Sequence, residues 1–196
     1  VSIDGEEEVH DKVRGIPGGW RKAYETVKIL QAGGVTNLRI AFTATVTEVA
    51  DNTGHLGRIY DLARRTGVEF TCAVAHNSDH YFKTSANKGV NVEELARQLD
   101  YVAGHELRST RVKSWLRAYF HNGLVEHARA QIRPTPCEAG HTSLMIDPGG
   151  DVYPCNILNL PAGNLRRASF LEIWRSARMD EVRDVVRACN QPCWMV

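Results

Sequence analysis

Residues 38–47 and 68–75 read as two strands of the same alternation with a helical stretch between them, and this repeat constrains the fold most. In the first, Leu38, Ile40, Phe42, Ala44 and Val46 share one face, while Arg39, Ala41, Thr43, Thr45 and Thr47 share the other, following the two-residue period of a strand. In the second, Val68, Phe70, Cys72 and Val74 alternate with Glu69, Thr71, Ala73 and Ala75. Leu56, Ile59, Tyr60 and Ala63 recur between them at helical spacing up to Gly67. Strand, helix and strand joined by short turns predict right-handed parallel crossovers. In a (β/α) barrel the apolar parity faces the outer helices and the hydroxyl-bearing parity lines the interior. Cys72 lies on the apolar parity and reads as packing.

The flanking segments extend the pattern. Val1-Ser2-Ile3 looks like the tail of a strand, and Asp4-Gly5 is a turn, so an element upstream is expected. Trp20, Ala23, Tyr24, Val27 and Leu30 mark a helix stopped by Gly33-Gly34. Asn91 with Glu94 reads as a capping box before Leu95, Leu99 and Val102. Val112, Trp115, Leu116, Tyr119 and Phe120 mark a further helix stopping at Gly123. From Pro134 the character changes to turns, a hairpin over 143–155 and cysteines, with a second capping box at Ser169 and Glu172. The expected division is 1–104 for barrel, 105–133 for connecting helices and 134–196 for a small cysteine-bearing domain.

The formal net charge is +1 and there is no Lys/Arg block, so the electrostatic footprint of a nucleic-acid or anionic-membrane binder is missing. The acidic start Glu6-Glu7-Glu8 does not read as a secretory leader, and no apolar run is long enough to cross a bilayer. The chain reads as cytosolic, where disulfides are rare and a cysteine cluster binds metal or does chemistry.

Four of the five cysteines fall in the last sixty residues: Cys137, Cys155, Cys189 and Cys193. Turns there can bring distant thiols together around an iron-sulfur cluster or a zinc ion. Structural zinc sites usually pair ligands as two CxxC knuckles. Here seventeen residues separate the first two cysteines and three separate the last two, so the spacing favours iron-sulfur and leaves zinc open. The histidines form no metal motif. His76 and Asp79 follow a strand end, where barrels build active sites, and are substrate-contact candidates against a solvated-loop reading. His80 belongs to the same loop. His141 lies near Cys137, placed to hydrogen-bond a cluster or to be exposed.

Cys137, then Gly150 and Cys155, then Gly163-Asn164-Leu165 and Phe170-Leu171-Glu172-Ile173-Trp174, then Cys189-Asn190-Gln191-Pro192-Cys193-Trp194, resembles the SPASM/twitch extension of radical S-adenosylmethionine enzymes. Val1-Ser2-Ile3-Asp4-Gly5 with His10-Asp11 and Arg14-Gly15 resembles the fourth barrel strand of that family, and the next two strand-helix units resemble its fifth and sixth. The number of cysteines looks closer to the twitch form, with one auxiliary [4Fe-4S] cluster. The family's CxxxCxxC loop and its Gly-rich methionine-binding segment are not in this sequence.

The resemblance implies an α/β fold: a partial (β/α) TIM-type barrel with a C-terminal small α+β SPASM/twitch iron-sulfur domain, the C-terminal portion of a radical enzyme and inactive by itself. It implies Cys137, Cys155, Cys189 and Cys193 as ligands of the auxiliary cluster. Ser2, Asp4 and Arg14 become candidates for contacting S-adenosylmethionine, against the plainer reading of Asp4-Gly5 as a turn. In the whole enzyme, reductive cleavage of S-adenosylmethionine yields an adenosyl radical that abstracts hydrogen from a peptide or small molecule, with a ferredoxin or flavodoxin as electron donor. The auxiliary cluster helps bind substrate or takes up an electron. The alternative is a noncatalytic interaction module in which the same four cysteines hold zinc.

Overall fold

A computed structural model describes residues 1–34, 39–47, 52–75, 77–78, 89–130, 136–191 and 193. Contacts divide the chain into two compact units, one formed by 1–75, 87–132 and 194–196, the other by 76–86 and 133–193. His76, Asp79 and His80 lie outside the described residues.

The first unit opens with α1 (Glu7–Arg14) and α2 (Gly19–Ala32), followed by β1 (Ala41–Val46), α3 (Leu56–Thr66), β2 (Glu69–Val74), α4 (Val92–Leu107) and α5 (Val112–Ala130). β1 and β2 pair in parallel from Ala41↔Glu69 to Val46↔Val74. On the other side of β1, Ser2 bridges Thr43 in parallel. The Thr43 amide donates to the Val1 carbonyl (2.9 Å) and its carbonyl accepts from Ile3 N (3.0 Å), while the Ile40 and Val46 carbonyls accept from Glu69 and Ala75. Amide and carbonyl of one strand residue point to one side, so the first residues, β1 and β2 lie side by side in chain order.

Phe42, Ala44, Val46, Phe70 and Cys72 are buried against Ile59, Tyr60 and Ala63 of α3, Leu95, Leu99 and Val102 of α4, and Leu124 of α5. Full burial of a side chain such as Phe42 contributes roughly 1.5–3 kcal/mol. The opposite parity, Ala41, Thr43, Thr45, Thr71 and Ala73, is only half-buried. Burial pushes the Cys72 thiol up to about 12, so it stays a protonated packing group.

Two helices differ from the sequence expectation. Leu30 lies on the exposed side of α2 while Val27 carries the burial. α5 does not stop at Gly123 but runs on to Ala130. Its buried face is Ser114, Ala118, His121, Leu124 and Val125, whereas Val112, Trp115, Leu116 and Tyr119 are exposed. Small residues let α5 approach α4 closely, and the larger apolar stripe is turned outward.

The second unit contains β3 (Met145–Ile146), β4 (Asp151–Tyr153), β5 (Gly163–Asn164), α6 (Phe170–Trp174) and α7 (Ala177–Arg187). β3 and β4 form the expected hairpin, with Met145 opposite Tyr153. The Asp147 carboxylate accepts from Asp151 N at 2.8 Å and closes the turn. β5 then adds antiparallel to β4. Val152, Ala162, Ile173, Met179 and Val182 form the core of this unit.

Candidate metal centre

Cys155 and Cys189 sit just beyond regular elements, while Cys137 and Cys193 lie in irregular segments. Cys137 precedes the Ala139–Ser143 bridge. Cys155 follows β4 closely, and its Sγ accepts from the Leu158 amide at 3.4 Å. Cys189 lies just beyond α7, its amide donating to the Val186 carbonyl, and the Cys193 amide donates to Gln191 O. All four are half-buried and none is in a disulfide.

These segments share one unit, but among the described residues no three His, Cys, Asp or Glu side chains are grouped as a metal site. The donor chemistry still suits an iron-sulfur cluster, since four half-buried cysteines supply the type and number of sulfur ligands it takes. A second observation fits as well. Next to Cys155, the buried Asn156 Oδ1 has no hydrogen-bond partner among the described residues, and the same amide turned over presents an N–H donor of the kind that sulfur accepts. The Asn156 carbonyl is held by the Ser78 hydroxyl at 2.7 Å. His141 is half-buried.

The S-adenosylmethionine candidates fall in the first unit and behave differently from one another. Ser2 is exposed beside Thr43. Asp4 is fully buried and accepts from Arg14 Nε (2.5 Å), Arg14 Nη2 (2.9 Å) and Thr45 N (2.7 Å). Such a two-pronged guanidinium pair is strong and orienting. His10 Nδ1 accepts from Asp4 N at 3.1 Å, and burial lowers the His10 pKa against the pull of Asp4. The Asn52 amide ties the Asp4 and Thr45 carbonyls together. Asp4 and Arg14 are thus partners of each other, pinning the first residues to β1.

Residues 137–195 match an iron-sulfur cluster-binding domain, SPASM. The match begins at Cys137 and takes in all four of the thiols just described. The C-terminal segment is similar to SPASM domains. The chain that carries this SPASM-like segment is similar to an AdoMet-dependent heme synthase of Oleidesulfovibrio alaskensis, 27% identical over 90% of this chain and 48% of that protein. It is similar to the sporulation killing factor maturation protein SkfB of Bacillus subtilis, 23% identical over 97% of this chain and 43% of SkfB. It also resembles the mycofactocin maturase MftC of Mycobacterium tuberculosis, 26% identical over 91% of this chain and 45% of MftC. The chain spans about half the length of the curated relatives it matches. The resemblance to radical S-adenosylmethionine enzymes with a SPASM extension therefore stands. No helix among the described residues is long and apolar enough to cross a membrane.

The sequence reading passed over two residues of this SPASM-like segment, Asn156 and Arg183. Arg183 had a signal: it occupies the face of α7 that carries Met179, Val182 and Val186, and a cation on an apolar helical stripe requires a partner.

Proposed function

We propose that this chain is the C-terminal portion of a radical S-adenosylmethionine enzyme and holds one auxiliary [4Fe-4S] cluster of the twitch type on Cys137, Cys155, Cys189 and Cys193. The observation that carries this reading is the SPASM match, which starts at the first of the four cysteines. The half-buried thiols outside any disulfide and the Leu158 amide directed at Cys155 Sγ support it. When bound, such a cluster supplies a Lewis-acidic contact or an electron reservoir, tuned by burial and hydrogen bonds.

The first unit, a partial (β/α) TIM-type barrel in this reading, offers substrate the half-buried Thr43 and Thr71, with the exposed Ser2 beside them. Three parallel neighbours in chain order support that architecture. Residues 1–104 form the barrel portion, 105–133 the connecting helices and 134–196 the cluster domain. Ser2 contacts S-adenosylmethionine directly, while the Asp4–Arg14 pair fixes the strand end that presents it. The substrate is a peptide or small molecule: two relatives are named for maturation and one for heme synthesis. A cytosolic ferredoxin or flavodoxin supplies electrons, and the chain alone does not turn over.

Anaerobic reconstitution tests the centre. The expected result is about four iron and four sulfide per chain with a broad absorption at the blue end of the visible, lost in Cys155→Ala. A colourless protein that loads zinc instead overturns the reading and leaves the four-cysteine zinc interaction module.

A further inference from the structure

We propose that Arg183 is the positioning residue of the cysteine centre, an inference that rests on the four-thiolate reading above. Met179 and Val182 are fully buried and Val186 is 1% exposed. The Arg183 side chain shares their face of α7 and is only 13% exposed. A guanidinium there must be satisfied by the protein. Its Nε donates to the Gly140 carbonyl at 2.9 Å, its Nη1 donates to Asp180 Oδ1 at 2.8 Å, and its central carbon lies 4.5 Å from the centroid of the Trp174 ring at the end of α6.

Gly140 is where the arms meet. Its φ of +75° is a left-handed conformation that disfavours any side chain. A Cβ added there would lie 3.6 Å from Pro154 Cβ and 3.7 Å from Arg183 Cγ, so Pro154 and Arg183 are the side chains that border Gly140. Gly140 follows Cys137 by three residues, Pro154 immediately precedes Cys155, and α7 leads into Cys189. One guanidinium thus joins the segment that follows Cys137 to the helix that leads into Cys189. The ion pair with Asp180, whose carboxylate is 69% exposed, adds little. The bond to the carbonyl, from a charged donor, is the strong contact. Arg183 therefore sets the spacing of Cys137 relative to Cys189, and its charge favours the reduced, more negative form of a cluster.

The test reconstitutes the full chain as wild type, Arg183→Met, Arg183→Lys and, as control, Arg187→Met, whose residue pairs with Asp184 on the exposed side of α7. The readouts are iron release to a chelator and the midpoint potential of the cluster. Arg183→Met is expected to release iron ~10–100-fold faster, the usual effect of losing an outer hydrogen bond, and to show a lower midpoint. Arg183→Lys keeps the charge without the planar fork, and is expected to release iron faster with a midpoint near wild type. Arg187→Met is expected to match wild type. Wild-type retention in Arg183→Lys, or wild-type retention and midpoint in Arg183→Met, overturns the positioning role while leaving the cluster reading intact. A wild-type chain that takes up no iron and sulfide overturns both.

Discussion

At the scale of single residues, His121 is an ionisable group placed inside a core. It is 1% exposed, its ring lies between Phe70 and Phe120, and its Nδ1 has no hydrogen-bond partner among the described residues. Burial, with the Arg117 charge adding to it, lowers its pKa to about 4. The unfolded chain, with an ordinary pKa near ~6.5, takes up the proton first on acidification. The contribution of neutral His121 is thus complete above pH ~6.5 and is lost as the pH falls from ~6.5 toward 4, amounting to roughly 3 kcal/mol. His121→Leu is expected to flatten this part of the stability curve. Comparing denaturant midpoints at neutral and acid pH for the two proteins checks it, and an equal acid loss in both removes His121 from the account.

At the scale of elements, the two expected capping boxes turned out differently. At Ser169 both halves form: the hydroxyl accepts from Glu172 N and Glu172 accepts from Ser169 N. At Asn91 only the first half forms, because the Glu94 carboxylate accepts from Arg97 and Gln98 instead. Ser169→Ala is expected to cost about 1 kcal/mol, measured as a shift in the unfolding midpoint. Gly163 in β5 is tighter still, since a Cβ there would come within 2.9 Å of Ile173 Cγ1. Gly163→Ala should cost ~1–3 kcal/mol by overpacking α6, and a neutral outcome in the same measurement would show that α6 gives way.

The strands and the 143–155 hairpin were legible because period-two alternation and Asp-Pro-Gly-Gly are local signals. β5 was not: two residues, Gly163 and Asn164, carry no period, and only pairing with Asp151 and Val152 makes them a strand. α5 misled for a physical reason. Its larger apolar residues face outward, and close helix packing selected Ser114 and Ala118 for the buried side. The SPASM resemblance was legible from the cysteine spacing, whereas Arg183 and Asn156 make contacts distant in sequence.

At the scale of the whole molecule, two compact units divide the work: one presents a parallel sheet, the other a set of thiols. Structural metal binding is folding free energy for the unit that supplies the ligands. Stripping the cluster is therefore expected to raise amide hydrogen exchange across 136–191 while β1, β2 and α3 keep their protection. Uniform loss of protection through the chain would show that the cluster supports more than its own unit. The outward stripe of α5 carries a practical lesson for anyone handling the protein. Val112, Leu116 and Tyr119 are each more than 60% exposed, so they offer a greasy handle that chromatography resins and neighbouring molecules can grip. Exchanging Leu116 and Tyr119 for charged residues should yield a better-behaved sample with the same melting temperature, whereas the same exchange at Ala118, on the inward face, would destroy it.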